Sequence, residues 1–201
     1  MLKGGSMNKA SKNGFTESTV FALKALLILV GCFCAVFIIA RFYLMITRVD
    51  GSSMYPTLED EERIIVDKNI YKKHNPERFD IVVFETPISE TGQYVKRIIA
   101  LPGESVRIDE AGIIYINGEE IKESYGYEHI LNPGRAIKDI TLGENEYFVM
   151  GDNRNHSEDS RFMLVGNVSK DDILGKAIQR VWPIDKYGYI DLYIEKVRND
   201  D

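Results

Sequence analysis

Three stretches of this 201-residue chain hold the side chains that could do chemistry. The first is Val49–Leu58, in which Ser53 lies between Gly51 and Pro56. Glycine permits an unusual backbone and proline blocks a helix, so a turn here can present a serine hydroxyl at the surface. Serine-rich turns are also common as plain linkers. A hydroxyl becomes a good nucleophile only when a base takes its proton.

The second stretch contains a lysine within an apolar row. Strand alternation puts Lys96 and Arg97 on opposite faces, so each face carries one basic residue. Such a lysine usually extends to solvent, but a desolvated lysine loses its proton easily and can act as a general base near neutral pH. One predicted face holds Tyr94, Lys96, Ile98 and Ala100, and the other holds Val95, Arg97, Ile99 and Leu101.

The third stretch, Gly151–Arg161, is dense in hydrogen-bonding side chains. It is either a solvent-facing turn or a loop that holds a neighbouring site in place. His156 also permits a Ser-His-Asp triad with Ser53. The alternative is an exposed, non-catalytic histidine, which also suits His74 and His129 because neither shows the spacing of metal ligands.

The elements that must position these stretches are predicted mainly as strands. Short β-branched runs bounded by polar residues recur after Gly51. Asn117-Gly118 between two such runs predicts a hairpin. We therefore expect a mainly β domain of antiparallel sheets, folded into a barrel-like or sandwich-like body. The predicted strands are Arg63–Asp67, Asp80–Phe84, Gln93–Ala100, Ser105–Asp109, Ile113–Ile116, Glu119–Lys122, Glu146–Met150, Ala177–Trp182 and Tyr189–Tyr193.

An apolar run near the amino terminus predicts a membrane anchor. Sixteen residues without a charge, Ala25–Ala40, lie between Lys24 and Arg41. A helix needs roughly 20 residues to cross a bilayer core, and the two basic side chains can snorkel to extend the span. A cleavable secretory signal has a shorter apolar region and a small-residue cleavage site. A buried core helix is amphipathic, whereas this run is apolar all round.

Charge indicates the orientation of that anchor. Residues 1–47 carry five basic residues and one acid, a net charge of +4, so residues 48–201 carry −10 of the total of −6. The basic bias predicts a cytoplasmic amino terminus, with the chain outside after about Arg48. The acidity argues against nucleic-acid binding. Both cysteines, Cys32 and Cys34, lie in the apolar run, so the outer domain has no disulfide framework or thiolate zinc site.

Four motifs in order behind an anchor resemble the type I signal peptidases, membrane-bound proteases that use a serine and a lysine to remove signal peptides. The resemblance runs from the anchor to about Trp182, and the small size and single anchor look like the Gram-positive form. The motifs that carry it are Gly51–Leu58 (serine box), Arg78–Phe84 (second box), Tyr94–Glu104 (lysine box) and Gly151–Arg161 (final box).

The resemblance implies a role for each matched residue. Ser53 is implied as the nucleophile and Lys96 as the general base, with Ser157 hydrogen bonded to the Lys96 amine. The implied supporting residues are Asp152, Arg97 and an Asp159–Arg161 ion pair. Ser-His members of the wider clan place histidine at the lysine position, which disfavours a catalytic His156.

Two positions depart from the family pattern. Some members use a serine hydroxyl two residues before the nucleophile to stabilise the oxyanion, and that position is Gly51 here. The Ser53 N–H is therefore expected to be joined by a second donor from backbone or water. The link from Arg161 to the next glycine is also longer than usual, Phe162–Gly166, so this edge of the site is expected to have a different shape.

The sequence thus predicts a cytoplasmic tail (residues 1–20), a transmembrane anchor (21–47) and an extracytoplasmic β-rich peptidase domain (48–201). By resemblance, the expected function is a serine endopeptidase of the cell membrane that cleaves preprotein signal peptides with small residues at −1 and −3. The expected partners are those preproteins and the lipid bilayer, without nucleic acid, metal or cofactor. Only four residues separate Arg48 from Ser53, so the serine is expected close to the membrane surface. Extended substrate is expected to pair with an exposed strand edge, for which Asp80–Phe84 is one candidate.

Two other functions fit part of the pattern. A self-cleaving or regulatory Ser-Lys protease carries a DNA-binding module and is cytosolic, whereas residues 1–50 provide an anchor and no helix-turn-helix. A membrane-tethered family member could instead act on a dedicated substrate set or serve as a non-catalytic assembly factor. The presence of both Ser53 and Lys96 favours activity.

Overall fold

The computed structural model describes residues 10–89 and 92–190. The chain divides into two compact units, residues 1–42 and residues 43–201. Helix α1, Ala10–Tyr43, forms the described part of the first unit. The predicted tail therefore lies partly outside the described residues, and so do the last residues of the predicted strand Tyr189–Tyr193.

Helix α1 contains a stretch, Glu17–Tyr43, that is long and apolar enough to cross a membrane, and no other described helix does. Among the side chains of this stretch that the structure describes, the large apolar ones are exposed, for example Phe21, Leu29 and Phe37. Apolar residues on all sides are typical of a helix surrounded by lipid.

The end of the predicted anchor at residue 47 needs correction. Helix α1 ends at Tyr43, and the next five residues form strand β1, Leu44–Arg48. These residues pair antiparallel with β2, and Met45 packs against the core. β-branched residues such as Ile46 and Thr47 fit a strand well, so pairing with β2 outweighs continuation of the helix.

The second unit consists of two antiparallel sheets. The larger has the order β1-β2-β11-β3-β4-β9-β10, with β12 paired to β11, and the smaller has the order β7-β6-β5-β8. The outermost strands, β1 and β10, do not pair with each other, so among the described residues the body is open and sandwich-like rather than a closed barrel. The mainly β, antiparallel prediction is confirmed. The strands after β1 are β2 Arg63–Asp67, β3 Ile81–Glu85, β4 Gln93–Ala100, β5 Ser105–Ile108, β6 Ile114–Ile116, β7 Glu119–Glu120, β8 Ile140–Thr141, β9 Glu146–Met150, β10 Val168–Ser169, β11 Ile173–Trp182 and β12 Gly188–Tyr189.

Strand β3 lies in the interior of the large sheet. It pairs with β4 on one side and with β11 on the other. Alternation sends Val82 and Phe84 into one core cluster and Ile81 and Val83 into another. The prediction that Asp80–Phe84 offers a substrate-binding edge is therefore wrong, because both of its hydrogen-bonding sides are taken by neighbouring strands.

Strand β4 keeps its predicted alternation only up to Ile98. The register with β9 shifts between Ile98 and Ala100, which marks a β-bulge. As a result Ile99 and Ala100 both pack into the core of the small sheet, while Leu101 packs with Ile98. The predicted faces are thus correct for Lys96 and Arg97 and wrong for the last residues of the strand, since an inserted residue reverses the faces beyond it.

Candidate active site

The serine turn is held by its own backbone and by the core. Gly51 has a φ of +80°, and its N–H donates to Asp60 Oδ1 at 2.8 Å. Met54 and Leu58 are buried and fix the far side of the turn. Ser53 is half-buried between these two anchoring points.

Strand β4 brings Lys96 to that serine. The Lys96 Nζ lies 2.8 Å from Ser53 Oγ and 3.1 Å from the carbonyl oxygen of Val95. Only 3% of Lys96 is exposed, and the Tyr94 ring centroid lies 4.7 Å from Nζ. The structure therefore brings together the two residues that the sequence proposed as a catalytic pair.

The surroundings of Lys96 favour its neutral form. Burial lowers the pKa of the amine from 10.5 to about 8, although the carboxylates of Asp159, Asp152 and Glu158 act in the opposite direction. Desolvation penalises the charged form, whereas nearby negative charge stabilises it. Because burial is the larger effect, roughly a tenth of the amine is unprotonated near pH 7, far more than in an exposed lysine.

Asp152 and Arg97 form a buried, two-armed ion pair behind Lys96. Arg97 Nε donates to Asp152 Oδ1 at 2.8 Å, and Nη2 donates to Oδ2 at 2.7 Å. Arg97 also donates to the carbonyl oxygen of Phe79, and the Thr57 hydroxyl donates to Asp152 Oδ2. This network ties the loop that begins at Gly151 to β4 and to the serine turn.

Asp159 and Arg161 form a second buried pair at the other end of the loop. Arg161 donates through Nε and Nη2 to the two carboxylate oxygens of Asp159, each at 2.8 Å. The Gly151 N–H donates to Asp159 Oδ2 at 3.1 Å. This carboxylate therefore closes the loop on itself, from its last residues back to its first.

Ser157 lies near the Ser53–Lys96 pair, but its predicted hydrogen bond to the Lys96 amine is not formed in the structure. The Ser157 hydroxyl oxygen is buried and has no hydrogen-bond partner among the described residues. It is crowded against Gly151, where any Cβ would collide with Ser157 Oγ and with the Ser53 carbonyl oxygen. Glycine is thus required at 151 for the loop to approach the serine turn.

Asn153 makes direct contacts with the serine turn that the sequence analysis missed. Its backbone N–H donates to the Ser53 carbonyl oxygen at 3.0 Å, and Nδ2 donates to the Ser52 carbonyl oxygen at 3.1 Å. The position of Asn153 in the polar run of the final box was the one sequence signal that could have indicated this role. A second missed group is Arg180, which donates to the Thr57 carbonyl oxygen and pairs with buried Glu62.

The backbone around Ser53 narrows the choice of oxyanion donors. The Gly51 N–H is already engaged by Asp60, so it is not an available second donor. The Ser53 N–H donates to no acceptor among the described residues. His156 is exposed and its side chain makes no hydrogen bond to Ser53 there, so the geometry offers no Ser-His-Asp triad.

The link after Arg161, Phe162–Gly166, lines a cavity beside the loop. Met163 and Leu164 are 81% and 76% exposed. Phe162, Leu164 and Val165 line a cavity of about 400 Å³ together with Ser157 and other residues of the loop. The link therefore adds an apolar wall next to the loop that contacts the serine turn.

Comparison with known proteins identifies the family. Residues 22–182 match the family described as signal peptidase, peptidase S26. A signal peptidase I of Bacillus caldolyticus is 37% identical over 171 residues, which cover 78% of this chain and 91% of that protein. A probable signal peptidase I-2 of Synechocystis sp. is 35% identical over 147 residues, which cover 71% of this chain and 65% of that protein.

A solved signal peptidase I structure from Enterococcus faecalis V583 is 34% identical and covers 51% of this chain and 96% of that one, with a TM-score of 0.42. The family match covers all four motifs and both members of the hydrogen-bonded pair. The class of protein is thus a serine peptidase of the signal peptidase type. The chain belongs to the signal peptidase family, peptidase S26, which confirms the resemblance drawn from the motifs.

Proposed function

We propose that this chain is a membrane-anchored endopeptidase that removes amino-terminal signal peptides from preproteins, with Ser53 as nucleophile and Lys96 as general base. The observation that carries the assignment of these residues is the 2.8 Å contact between Lys96 Nζ and Ser53 Oγ at a lysine that is 3% exposed. Family membership supports the class of activity. A non-catalytic role is disfavoured because both reactive groups are present and in contact.

The chemistry follows from the neutral amine. With a pKa of about 8, roughly a tenth of Lys96 is unprotonated near pH 7, against less than about a thousandth for a lysine of ordinary pKa. The neutral amine takes the Ser53 proton as Oγ bonds to the scissile carbonyl carbon. It then gives that proton to the departing amine as the peptide C–N bond breaks.

The second half of the reaction repeats this proton transfer with water. Lys96 takes a proton from a water molecule as the water oxygen bonds to the acyl carbon. It then returns that proton to Ser53 Oγ as the ester C–O bond breaks and the carboxyl product leaves. The Ser53 N–H donates to the negatively charged oxygen in both tetrahedral intermediates. Loss of one such donor typically costs on the order of a hundredfold in rate or more.

Substrate is proposed to bind as an extended strand between β1 and β4. Pairing of β4 with β9 begins only at Arg97, so the backbone of Tyr94 and Val95 has no neighbouring strand on that side among the described residues. A small cavity of about 170 Å³ lies there, and its lining includes Thr47 of β1, Asp50 just after β1 and Val95 of β4. Its size suits small side chains at −1 and −3, and an added strand would supply main-chain hydrogen bonds.

The location is proposed from the charge bias around α1: amino terminus in the cytoplasm, peptidase domain outside the cell membrane. The test is a single surface cysteine, Glu144→Cys, in a chain in which Cys32 and Cys34 are replaced by serine. A maleimide that does not cross membranes is applied to spheroplasts. Labelling without lysis supports this orientation, and labelling only after lysis contradicts it.

The proposed dyad is tested by preprotein cleavage with the detergent-solubilised full chain. Ser53→Ala and Lys96→Met should abolish cleavage while circular dichroism stays that of the wild type. Two matched controls, Ser52→Ala in the same turn and Lys138→Met on the surface, should retain it. Sequencing of the new amino terminus of the product identifies the cut. Normal turnover by Lys96→Met would contradict the dyad.

A further inference from the structure

We propose that Glu158, held in place by Tyr94, is a positioning residue that sets the pH range in which Lys96 can act as a base. The inference rests on the proposed function, because it concerns the same lysine. The exposed carboxylate of Glu158 is fixed beside the Tyr94 ring, which covers the Lys96 amine.

The geometry links Glu158 to the lysine through one aromatic ring. Tyr94 precedes Lys96 by two residues on β4, on the same face, and its ring centroid lies 4.7 Å from Nζ. The Tyr94 hydroxyl donates to Glu158 Oε2 at 3.0 Å. Glu158 is exposed and follows Ser157 in the loop, so the hydrogen bond fixes both the ring and the carboxylate at the outer side of the buried amine.

Glu158 is the carboxylate near Lys96 whose charge is not offset by a buried arginine. Of the three that act on the amine, Asp159 and Asp152 act more strongly than Glu158, but Asp159 is paired with Arg161 and Asp152 is paired with Arg97. No cation lies within ion-pair distance of Glu158 among the described residues. Glu158 therefore contributes a net negative charge near the amine, whereas each aspartate belongs to a neutral ion pair.

The other charges on the sheet beside the lysine are paired with each other. Lys176 of β11, which is in register with Val82, forms an ion pair with Asp80 at 2.6 Å. The serine turn, Gly51–Leu58, contains no charged residue. Strand β3 places apolar Val82 opposite Lys96. On the loop, His156 is exposed and its side chain makes no hydrogen bond to the amine among the described residues. Glu158 is thus the surface group best placed to stabilise the protonated amine.

Removal of this charge should make the enzyme more active at low pH. When Glu158 is neutral, less negative charge opposes the effect of burial on the pKa of Lys96. The pKa therefore falls, and the acidic limb of the kcat/KM profile moves to lower pH. For an exposed charge the expected shift is about 0.2 to 0.7 pH unit. Well below the pKa this gives an increase of about 1.5-fold to fivefold in kcat/KM.

The experiment measures kcat/KM from about pH 5.5 to pH 9.5 for the full chain in detergent, with a peptide that spans a signal-peptide cleavage site. Glu158→Gln removes the charge and keeps an acceptor for the Tyr94 hydroxyl. Tyr94→Phe keeps the ring and releases the carboxylate. Glu144→Gln removes an exposed carboxylate elsewhere on the domain. We expect Glu158→Gln to move the acidic limb to lower pH. Tyr94→Phe should move it in the same direction by no more than that, and Glu144→Gln should match the wild type.

The salt dependence of the acidic limb separates an electrostatic role of Glu158 from a merely structural one. Between about 0.05 M and about 1 M salt, screening of the Glu158 charge should bring the wild-type limb towards that of Glu158→Gln, while the variant itself changes little. An unchanged limb in Glu158→Gln, or an upward shift, overturns the inference while the dyad stands. A wild-type chain that cleaves nothing overturns both.

Discussion

Burial of the Lys96 amine should destabilise the folded protein at neutral pH. The pKa of Lys96 is lowered in the folded state, from 10.5 to about 8, by desolvation. Between about pH 8 and pH 10.5 the unfolded chain therefore holds a proton that the folded chain has lost, and the free energy of unfolding rises with pH in that window. Below about pH 8 both states are protonated, and the folded state bears the full cost of the buried charge.

The size of this effect follows from the two pKa values. At about 1.4 kcal/mol for each pH unit, the difference between 10.5 and about 8 corresponds to about 3 kcal/mol. Lys96→Met removes the titrating group. The free energy of unfolding of Lys96→Met minus that of the wild type should therefore be about 3 kcal/mol higher at pH 7 than at pH 10.5. Effects of the substitution that do not depend on pH cancel in this comparison.

Urea unfolding of the full chain in detergent at both pH values measures the difference, with the slope against urea compared to verify that the same transition is followed. Lys138→Met, which removes an exposed lysine, is the matched control and should show the same pH dependence as the wild type. If the stability difference between Lys96→Met and the wild type is the same at pH 7 and pH 10.5, the amine is not desolvated and the reasoning fails.

Two further predictions concern the loop Gly151–Arg161, which contacts the serine turn. Gly151→Ala places a Cβ against the Ser53 carbonyl oxygen, so kcat/KM should fall on the order of a hundredfold, while Gly188→Ala, whose Cβ meets nothing within 4 Å, should keep wild-type cleavage. Equal activity of these two variants would contradict the close approach. Asp159→Asn leaves Arg161 buried without its anion and should lower the free energy of unfolding by about 3–5 kcal/mol in urea titrations. A loss below about 1 kcal/mol would show that the pair is not buried as described.

Local patterns predicted much of the sheet structure. Arg63–Asp67, Gln93–Ala100 and Glu146–Met150 were predicted as strands, and they are β2, β4 and β9 with the same bounds. Asn117-Gly118 predicted the hairpin between β6 and β7, and both residues have positive φ. Such signals are local, because β-branched content and turn chemistry act over a few residues.

The features that the sequence did not predict depend on distant partners. Residues 44–47 of strand β1 were assigned to the anchor, because nothing within Leu44–Arg48 reveals its pairing with β2. The bulge near Ile98 reverses a face that alternation alone assigned incorrectly. The interior position of β3 likewise depends on β11, which lies almost ninety residues further along the chain.

The site follows the same division between local and distant information. The motifs selected Ser53 and Lys96, and the structure places their side chains in contact. The ion pairs of Asp152 with Arg97 and of Asp159 with Arg161 are present, while the expected bond from Ser157 to the lysine is absent. Contacts such as Tyr94 with Glu158 join strand and loop residues that no short motif connects.

The central claim is that a buried, neutral Lys96 takes the proton of Ser53, and the pH dependence of preprotein cleavage tests it most directly. The account predicts that kcat/KM of the wild type rises about tenfold per pH unit at low pH and levels off near a pKa of about 8. An acidic limb that levels off two or more pH units below that value would contradict it, since the base would then be a group other than this lysine.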